Sequence, residues 1–350
     1  MKILSTILLS ALAATSAMAG GDKPIDGLSY SLPKTAVRMQ VLVEKTVTEP
    51  GQLAGFSQLY FGKAGVSTRQ TAYRIVGVSF SSEGRADADR QYTVAIDKKH
   101  SIISVDCAPD GSLLAINTKA QRAKAPAAFV PSPRKAALNP RDYMSQDILS
   151  AGNLPKMAQL VAQEIYDIRD SRSQLSRGEA DFMPKDGEQL RLMYSQLATQ
   201  EAALMQLFQG KTTVDTTATV LSFVPTKENL RPVVFRFSKS FGLCAADDYS
   251  GDPVYANIED TGASKPLPET PAEVAKMKDG FNLGVARPGH IRITLATAEG
   301  KPLGYYDTDA AQFGTVEKLN GALFGKKFTS HIILDPATGG VVELKTEPLD

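Results

Sequence analysis

The sequence predicts an α+β protein in which two mostly antiparallel β domains are joined by a long antiparallel helical hairpin. Residues 153–210 carry apolar side chains at three-to-four spacing in two successive runs, which predicts two amphipathic helices. The chain on either side of this region alternates apolar and polar residues between turn sequences, as half-buried strands do. Helices are therefore expected in the middle of the chain and sheets at both ends.

The limits of the two helices are marked by their end residues. Arg177-Gly178 suits the end of the first helix, because glycine accepts the left-handed conformation found there. Asp186-Gly187-Glu188-Gln189 suits the start of the second as a capping box. The short connection predicts that the two helices are antiparallel neighbours. We expect both helices to pack on a sheet as well, since their apolar stripes are too long to be covered by each other alone.

Residues 1–19 have the features of a secretory signal peptide. Lys2 precedes an apolar run over residues 3–14, and Ala17-Met18-Ala19 forms an A-x-A cleavage site before Gly20. The run is too short and too rich in Ser and Ala to cross a bilayer, and no later run reaches eighteen apolar residues, so no transmembrane segment is predicted. The chain is expected to be exported.

Residues 20–118 are predicted to form the N-terminal β domain. A long strand over residues 35–48 alternates valines and Met39 with polar residues. Two more strands are predicted near residues 73–81 and 91–96, followed by a hairpin over residues 101–117 that turns at Pro109-Asp110-Gly111.

Residues 119–152 are predicted to form a Pro/Ala-rich basic linker. Within residues 119–141 there are four prolines and six basic residues without an acid, and no periodicity. An exposed connection is the expectation. A basic arm for an anionic partner is the alternative, although the charges form no dense patch.

Residues 211–350 are predicted to form the C-terminal β domain. Residues 212–224 alternate over a run rich in Thr and Val, and shorter strand patterns follow. A hairpin is predicted at Asp335-Pro336-Ala337-Thr338-Gly339-Gly340, and the spacing of Val316, Leu319, Leu323 and Phe324 predicts a short helix.

The sequence lacks the motifs of the common enzyme classes. It contains no G-x-S-x-G, H-E-x-x-H, C-x-x-C, Walker or G-x-G-x-x-G motif, and no cofactor is predicted. The 39 basic and 38 acidic residues balance, which gives no reason to expect nucleic acid as a partner. His100, His290 and His331 lie in or beside predicted strands, where a structural role is the commoner one.

Three weaker signals leave alternatives open. Asp247, Asp248 and Asp252 lie around Gly251, but without the spacing of a calcium loop, and no metal is predicted. Cys107 and Cys244 either form a disulfide in an exported protein or remain two buried thiols, which is the favoured interpretation. The chain has no tryptophan, so glycan binding would depend on tyrosines such as Tyr305 and Tyr306.

The candidate binding residues are polar groups within the helical region: Arg169, Arg172, Asp181 and Glu201. Arg169 and Arg172 share a helix face at i and i+3, so together they could hold a carboxylate or another anion. The favoured interpretation is that they form ion pairs with the neighbouring acids and fix the helix register.

Several stretches together carry a resemblance to a known family. They are the lead Gly27-Leu28-Ser29-Tyr30-Ser31-Leu32-Pro33-Lys34-Thr35, the helical run Ile165-Tyr166-Asp167-Ile168-Arg169 with Arg172 and Gly178-Glu179-Ala180-Asp181, and Ala311-Gln312-Phe313-Gly314 with the turn at residues 335–340. In this order they resemble the exported family catalogued as domain of unknown function 4831, from Gram-negative anaerobic bacteria. The resemblance implies export to the periplasm or the cell surface, and it brings no activity.

Two functional hypotheses follow. The favoured one is a non-catalytic envelope or cell-surface module that binds a protein or cell-envelope polymer, because two sheet domains on a rigid hairpin offer large surfaces without catalytic motifs. The alternative is a glycan-directed hydrolase assembled from scattered carboxylates. It requires two acids facing each other about 5 to 10 Å apart across a deep cleft.

Overall fold

A computed structural model describes residues 27–95, 101–120, 122, 126–133, 136–180, 183–270 and 282–348. The predicted signal peptide, His100 and Asp181 lie outside this part of the chain. The fold is α+β, with about 47% strand and 23% helix, which confirms the predicted class.

Twelve strands of the described chain form three antiparallel sheets. The strands are β1 (Gly27–Glu49), β2 (Gln70–Ala95), β3 (Val105–Cys107), β4 (Leu113–Ile116), β5 (Lys211–Phe223), β6 (Val233–Ser238), β7 (Gly242–Cys244), β8 (Asp252–Ser264), β9 (Asn282–Thr297), β10 (Pro302–Asn320), β11 (Phe328–Leu334) and β12 (Val341–Pro348). The three-stranded sheet has the order β2-β1-β5, the five-stranded sheet β10-β9-β8-β6-β7, and the four-stranded sheet β12-β11-β4-β3.

The first core lies between the three-stranded and five-stranded sheets. Alternate residues of β1 point inward, and Val37, Met39 and Val41 are fully buried against the five-stranded sheet. Their polar neighbours Arg38 and Gln40 point to the opposite face, as the period of two requires. The long central strand predicted over residues 35–48 is confirmed.

A second core lies where the four-stranded sheet meets the beginning of β1, the beginning of β9 and the end of β10. Its buried residues are Tyr30, Leu32, Leu113, Ile116, Leu283, Val285, Leu319, Ala322, Leu323, Phe324, Ile332 and Leu334. Because β1, β9 and β10 contribute to both cores, they tie the β part of the chain together.

The structure does not confirm the division into two β domains. β5, from the predicted C-terminal domain, pairs with β1 over thirteen positions. The four-stranded sheet likewise combines β3 and β4 with β11 and β12. The physical reason is that residues 27–49 bury one face along almost their whole length, and the strands that cover this face come from both ends of the chain.

A buried hydrogen-bond cluster, centred on Thr35, joins the three sheets. Thr35 Oγ1 donates to the carbonyl of Ala337 at 2.9 Å and accepts from the N–H of Ala311 at 3.0 Å. The Gln312 carboxamide accepts from Thr35 N at 3.0 Å and donates to Thr35 O at 2.9 Å and to Pro225 O at 2.8 Å. These residues belong to β1, β10 and the turn between β11 and β12, so three stretches that carry the family resemblance meet in one structural cluster.

Four α-helices occur in the described chain: α1 (Ser57–Phe61), α2 (Gln146–Leu149), α3 (Leu154–Arg177) and α4 (Gly187–Gln209). Asn153 caps α3 by accepting from Lys156 N at 2.9 Å, and Gly178 ends it at φ 72°. Asp186 caps α4 by accepting from Gln189 N at 2.7 Å. The predicted end residues of both helices are confirmed.

The helices form their own core instead of packing on sheet. Ile165 and Ile168 of α3 are buried with Leu204 and Phe208 of α4, and Leu53 completes the cluster. The remaining buried members lie in α2, α3 and α4, outside the strands: Ile148, Ala158, Val161, Ala162 and Leu207. The expectation of sheet contact was wrong because residues 50–61 and 139–149 fold over the apolar stripes and cover them.

Three local predictions need correction. The two strands predicted near residues 73–81 and 91–96 belong, as far as they are described, to the single strand β2. This strand pairs with β1 through two register shifts that keep the ladder continuous. Val316 and Leu319 lie in β10, where pairing with β9 overrides their helical spacing, and only the end of that pattern is helical, as a 3₁₀ turn over Gly321–Phe324. The predicted linker is ordered at its end, where residues 140–143 form a 3₁₀ turn and α2 follows.

Candidate functional site

The predicted site residues Arg169, Arg172 and Glu201 form one network between α3 and α4. Arg169 Nε donates to Glu201 Oε1 at 2.7 Å, and Arg172 Nη1 donates to Glu201 Oε2 at 2.6 Å. The Arg169 guanidinium also lies 5.4 Å from the ring centre of Phe61 and 5.7 Å from that of Tyr166. Both arginines therefore already bind a carboxylate of their own chain.

The electrostatics of this network favour an ionised Glu201. Burial on its own raises the pKa of the carboxyl, but the hydrogen bonds and charges of Arg169 and Arg172 outweigh it and hold this pKa below its ordinary value. Glu201 is 16% exposed and the arginines are 41% and 42% exposed. Such a geometry fixes α4 on α3, and it leaves one of the two positive charges uncompensated within the network.

A large concave surface lies on the other side of α4. We name it the α4–β5 groove; its volume is about 1150 Å³. Its walls are α4, the first half of β5 with Lys45 and Val47 of β1, and the segment 129–138 as far as it is described.

The α4 wall of the groove consists of small or short side chains. Ser195, Ala198, Thr199 and Ala202 recur at helical spacing and line the groove, whereas Leu204 lies in the helical core. Ala198 and Ala202 are exposed. The small side chains keep the helix backbone close to the groove and leave its space open.

The second wall is an unpaired strand edge. Among the described strands, β5 pairs only with β1, so its other edge has no β partner there. Gly210 sets up this wall: its φ of 87° turns the chain from α4 into β5, and a Cβ there would lie 2.3 Å from the Glu49 carbonyl oxygen. Val214 is 53% exposed beside the groove.

The third wall comes from the predicted linker. Phe129, Pro131 and Pro133 contribute apolar surface to it. Proline has no backbone N–H, so this segment is poorly suited to pair with β5 as a fourth strand. Within the described chain, the groove thus combines a strand edge that has no strand partner with a wall of apolar side chains.

The two described histidines are held in polar contacts. His290 Nδ1 lies 2.9 Å from Asp309 Oδ1, and Lys265 Nζ lies 3.0 Å from Asp309 Oδ2. Burial raises the pKa of Asp309, but His290 and Lys265 outweigh it and lower this pKa overall. His331 Nδ1 lies 2.7 Å from the Asn117 carbonyl oxygen. Within the described residues, no group of His, Cys, Asp and Glu is arranged to hold a metal ion.

Two carboxylates that line concave surfaces are held by backbone N–H groups. Asp335 Oδ1 accepts from the N–H groups of Ala337 and Thr338, and Asp110 accepts from those of Ala86 and Ser112. For every described Asp or Glu whose pKa is shifted, the shift is downward. A glycosidase acid needs a raised pKa, so these groups are not suited to that role.

The remaining signals from the sequence have structural outcomes. Tyr305 is 65% exposed, but Tyr306 points inward, stacks on Phe80 and hydrogen-bonds Ser82, so the pair forms no shared platform. Cys107 and Cys244 are free thiols, as favoured. Asp248 accepts from Ser250 N at 3.0 Å within its own loop.

The groove was missed at the sequence level, although part of its signal was present. Ser195, Ala198 and Ala202 follow helical spacing on the side of α4 opposite its buried leucines, which marks a face without bulky packing. The open edge of β5 could not be predicted from local sequence, because the order of strands in a sheet depends on long-range pairing.

No described helix has the length and apolarity that a membrane crossing requires. Comparison with curated proteins and with solved structures gives no match. A family model described as Domain of unknown function (DUF4831) matches residues 26–342, nearly the whole chain. The chain therefore belongs to the DUF4831 family.

Proposed function

We propose that this protein is a non-catalytic binding module of the cell envelope or cell surface, and that its α4–β5 groove holds an extended segment of a partner protein. The segment would lie along β5 as an added strand. The N–H and C=O groups of β5 that point away from β1 would then pair with the partner backbone.

The observation that carries the proposal is the open edge of β5 along this groove. An unpaired edge with exposed β-branched residues attracts extended polypeptide, and proteins usually protect such edges with lysine, proline or bulges. Residues 211–216 contain no proline, and their charged residues are Lys211, at the first position of the strand, and Asp215. The small residues of α4 leave space for partner side chains on one side of the added strand.

A protein segment is favoured over a carbohydrate polymer for a chemical reason. A strand edge offers alternating donors and acceptors at the spacing of a polypeptide backbone. The apolar wall at Phe129, Pro131 and Pro133 also suits side chains better than sugar hydroxyls. The hydrolase alternative lacks support in the described chain, because Asp110, Asp309 and Asp335, which line concave surfaces, are held by N–H donors or basic partners.

The test is a peptide-display selection on the immobilised full-length protein. The groove is filled in one variant, Ala198→Trp with Ala202→Trp. The control variant Leu154→Trp places the same side chain at an exposed position of α3 that does not line the groove. We expect selected peptides to bind the native protein and the control alike, and to bind the filled variant at least tenfold more weakly. Peptides that bind all three proteins equally, or a selection without binders, would refute the proposal.

Export remains part of the proposal. The A-x-A site before Gly20 supports cleavage there. Mass spectrometry of the protein recovered from the periplasm or surface of a Gram-negative host should give a chain that begins at Gly20. Recovery of the uncleaved chain from the cytoplasm would contradict export.

A further inference from the structure

Two opposite charges stand four residues apart on β5, where this strand lines the α4–β5 groove. Lys211 and Asp215 both belong to the groove wall, and the alternation of the strand places their side chains on one face of the sheet. Thr213 lies midway between them on the same face. The wall therefore has a charge pattern that an added strand must match.

Within the chain, each of these charges already faces a charge of opposite sign. Glu49 of β1 stands opposite Lys211, and Lys45 stands opposite Asp215. Lys45 also reaches towards β2, where its Nζ lies 5.7 Å from the ring centre of Tyr73. Unlike charges that face each other across a ladder stabilise it, and like charges destabilise it. A strand added to β5 therefore fits best with an acid opposite Lys211 and a base opposite Asp215.

The β5 strand of a second copy supplies this pattern when it runs antiparallel to the first. If Thr213 faces Thr213 of the other copy, Lys211 of each copy faces Asp215 of the other. The facing residues across the four strands are then, in order, Glu49, Lys211, Asp215 and Lys45, with charges of alternating sign. A register shift of two residues would separate both new pairs. Lys211 and Asp215 can each take a second partner, because an ammonium has three donors and a carboxylate has about four acceptor sites.

The groove has the length that this ladder needs. Residues 211–216 extend over about 17 Å, and the α4 wall from Ser195 to Gln206 extends over a similar length. In this register Thr216 faces Gly210, where the chain turns from α4 into β5, so the ladder ends there. Residues 210–216 of each copy are few beside the roughly 20–30 residues a side of a stable interface, so the dimer is expected to be weak.

Resting on the strand addition proposed above, we infer that the segment added at β5 is β5 of a second copy of this chain. The two copies are related by a two-fold axis that passes between their Thr213 residues, so each β5 enters the groove of the other copy. The two three-stranded sheets then continue into each other, and the small side chains of α4 leave space for the incoming strand. On dilution the dimer dissociates, and the groove is open to segments of other proteins.

Sedimentation velocity of the full-length protein over a concentration series tests this pairing. We expect the native protein to pass from the mass of one chain to that of two as its concentration rises. Lys211→Glu and Asp215→Lys each put like charges opposite each other, and each should weaken the dimer at least tenfold. An equimolar mixture of the two variants brings unlike charges together and should dimerise as the native protein does. Lys301→Glu, at an exposed lysine that does not line the groove, should leave dimerisation unchanged.

A cysteine at the two-fold axis tests the register without changing a charge. Thr213→Cys would face its own counterpart at the Cα distance that a disulfide needs, and it should give a covalent dimer on mild oxidation. Val220→Cys, at an exposed position of β5 that does not line the groove, should not. Cys107 and Cys244 are present in both variants and form the common background.

A native protein that keeps the mass of one chain at every concentration would overturn the inference, and so would charge variants that dimerise like the native protein. A mixture that stays monomeric although circular dichroism shows both variants folded would overturn it as well. So would equal crosslinking of Thr213→Cys and Val220→Cys. The proposed function fails separately, when no selected peptide binds in the groove, and it stands if the native protein is monomeric but such peptides bind.

Discussion

Replacing Glu201 by Gln should weaken the contact between α3 and α4 while keeping the side-chain shape. The change removes the charge that binds Arg169 at 2.7 Å and Arg172 at 2.6 Å. Hydrogen bonds to charged groups contribute about 1.5–3 kcal/mol each, but both arginines are about two-fifths exposed, so solvent screening reduces this value. We expect a loss of about 1–3 kcal/mol in the free energy of unfolding at pH 7.

Urea unfolding followed by circular dichroism at 222 nm measures this loss, since that signal reports the helices. The control is Glu179→Gln, because the pair Arg177–Glu179 is 54% and 61% exposed and should contribute less than about 0.5 kcal/mol. The folded-state pKa of Glu201 is lowered, so its stabilisation is present above the unfolded pKa of about 4.3 and disappears as pH falls through the folded value. Equal losses for Glu201→Gln and Glu179→Gln at pH 7 would refute the structural role of the network.

Three further predictions concern the β part of the molecule. Thr35→Val should lower the free energy of unfolding by about 2–4 kcal/mol, because it leaves the buried N–H of Ala311 and the partly buried carbonyl of Ala337 without this hydroxyl. Thr35→Ser should recover most of the loss in the same urea assay. Gly84→Ala should lower the free energy of unfolding by about 1–3 kcal/mol, because a Cβ would lie 1.9 Å from the Pro336 carbonyl oxygen. Gly55→Ala is the control, since a Cβ there has open space and should be nearly neutral. Equal urea midpoints for the two variants would contradict the close approach of Gly84 to Pro336. Asp309→Asn should make the melting temperature depend less on pH at the acid end. The lowered pKa of Asp309 contributes stability that is present above about pH 4 and is lost as pH falls through the folded-state pKa. A melting-temperature profile that is the same in both proteins between about pH 2 and 5 would contradict this contribution.

Local sequence signals predicted the helices well, because helix limits depend on nearby residues. Gly178 and Asp186 act within a few positions of themselves, and each ends or begins its helix where the sequence predicts. The turn between β11 and β12 was predictable for the same reason: Asp335 accepts from the N–H groups of Ala337 and Thr338 inside one short segment.

Long-range pairing could not be predicted in this way. β1 alternates clearly, but nothing in its own residues says that β5, which lies far along the chain, becomes its neighbour. For this reason the sequence predicts two β domains, whereas strands from both predicted domains share sheets in the structure. The spacing of Val316 and Leu319 misled for a related reason, because pairing with β9 decides their conformation.

The candidate site was predictable only in part. Arg169, Arg172 and Glu201 do come together, as helical spacing and charge indicated. The groove depends on which side of α4 remains uncovered and on the free edge of β5, and both follow from tertiary structure.

Hydrogen exchange along β5 tests the central claim most directly. The full-length protein is measured by mass spectrometry with and without a peptide selected on it, and with the groove-filled variant as control. Strand addition predicts slower exchange at the amides of residues 211–216 that point away from β1, in the native protein only. Peptide binding that leaves exchange in β5 unchanged, and slows it elsewhere, would contradict the account.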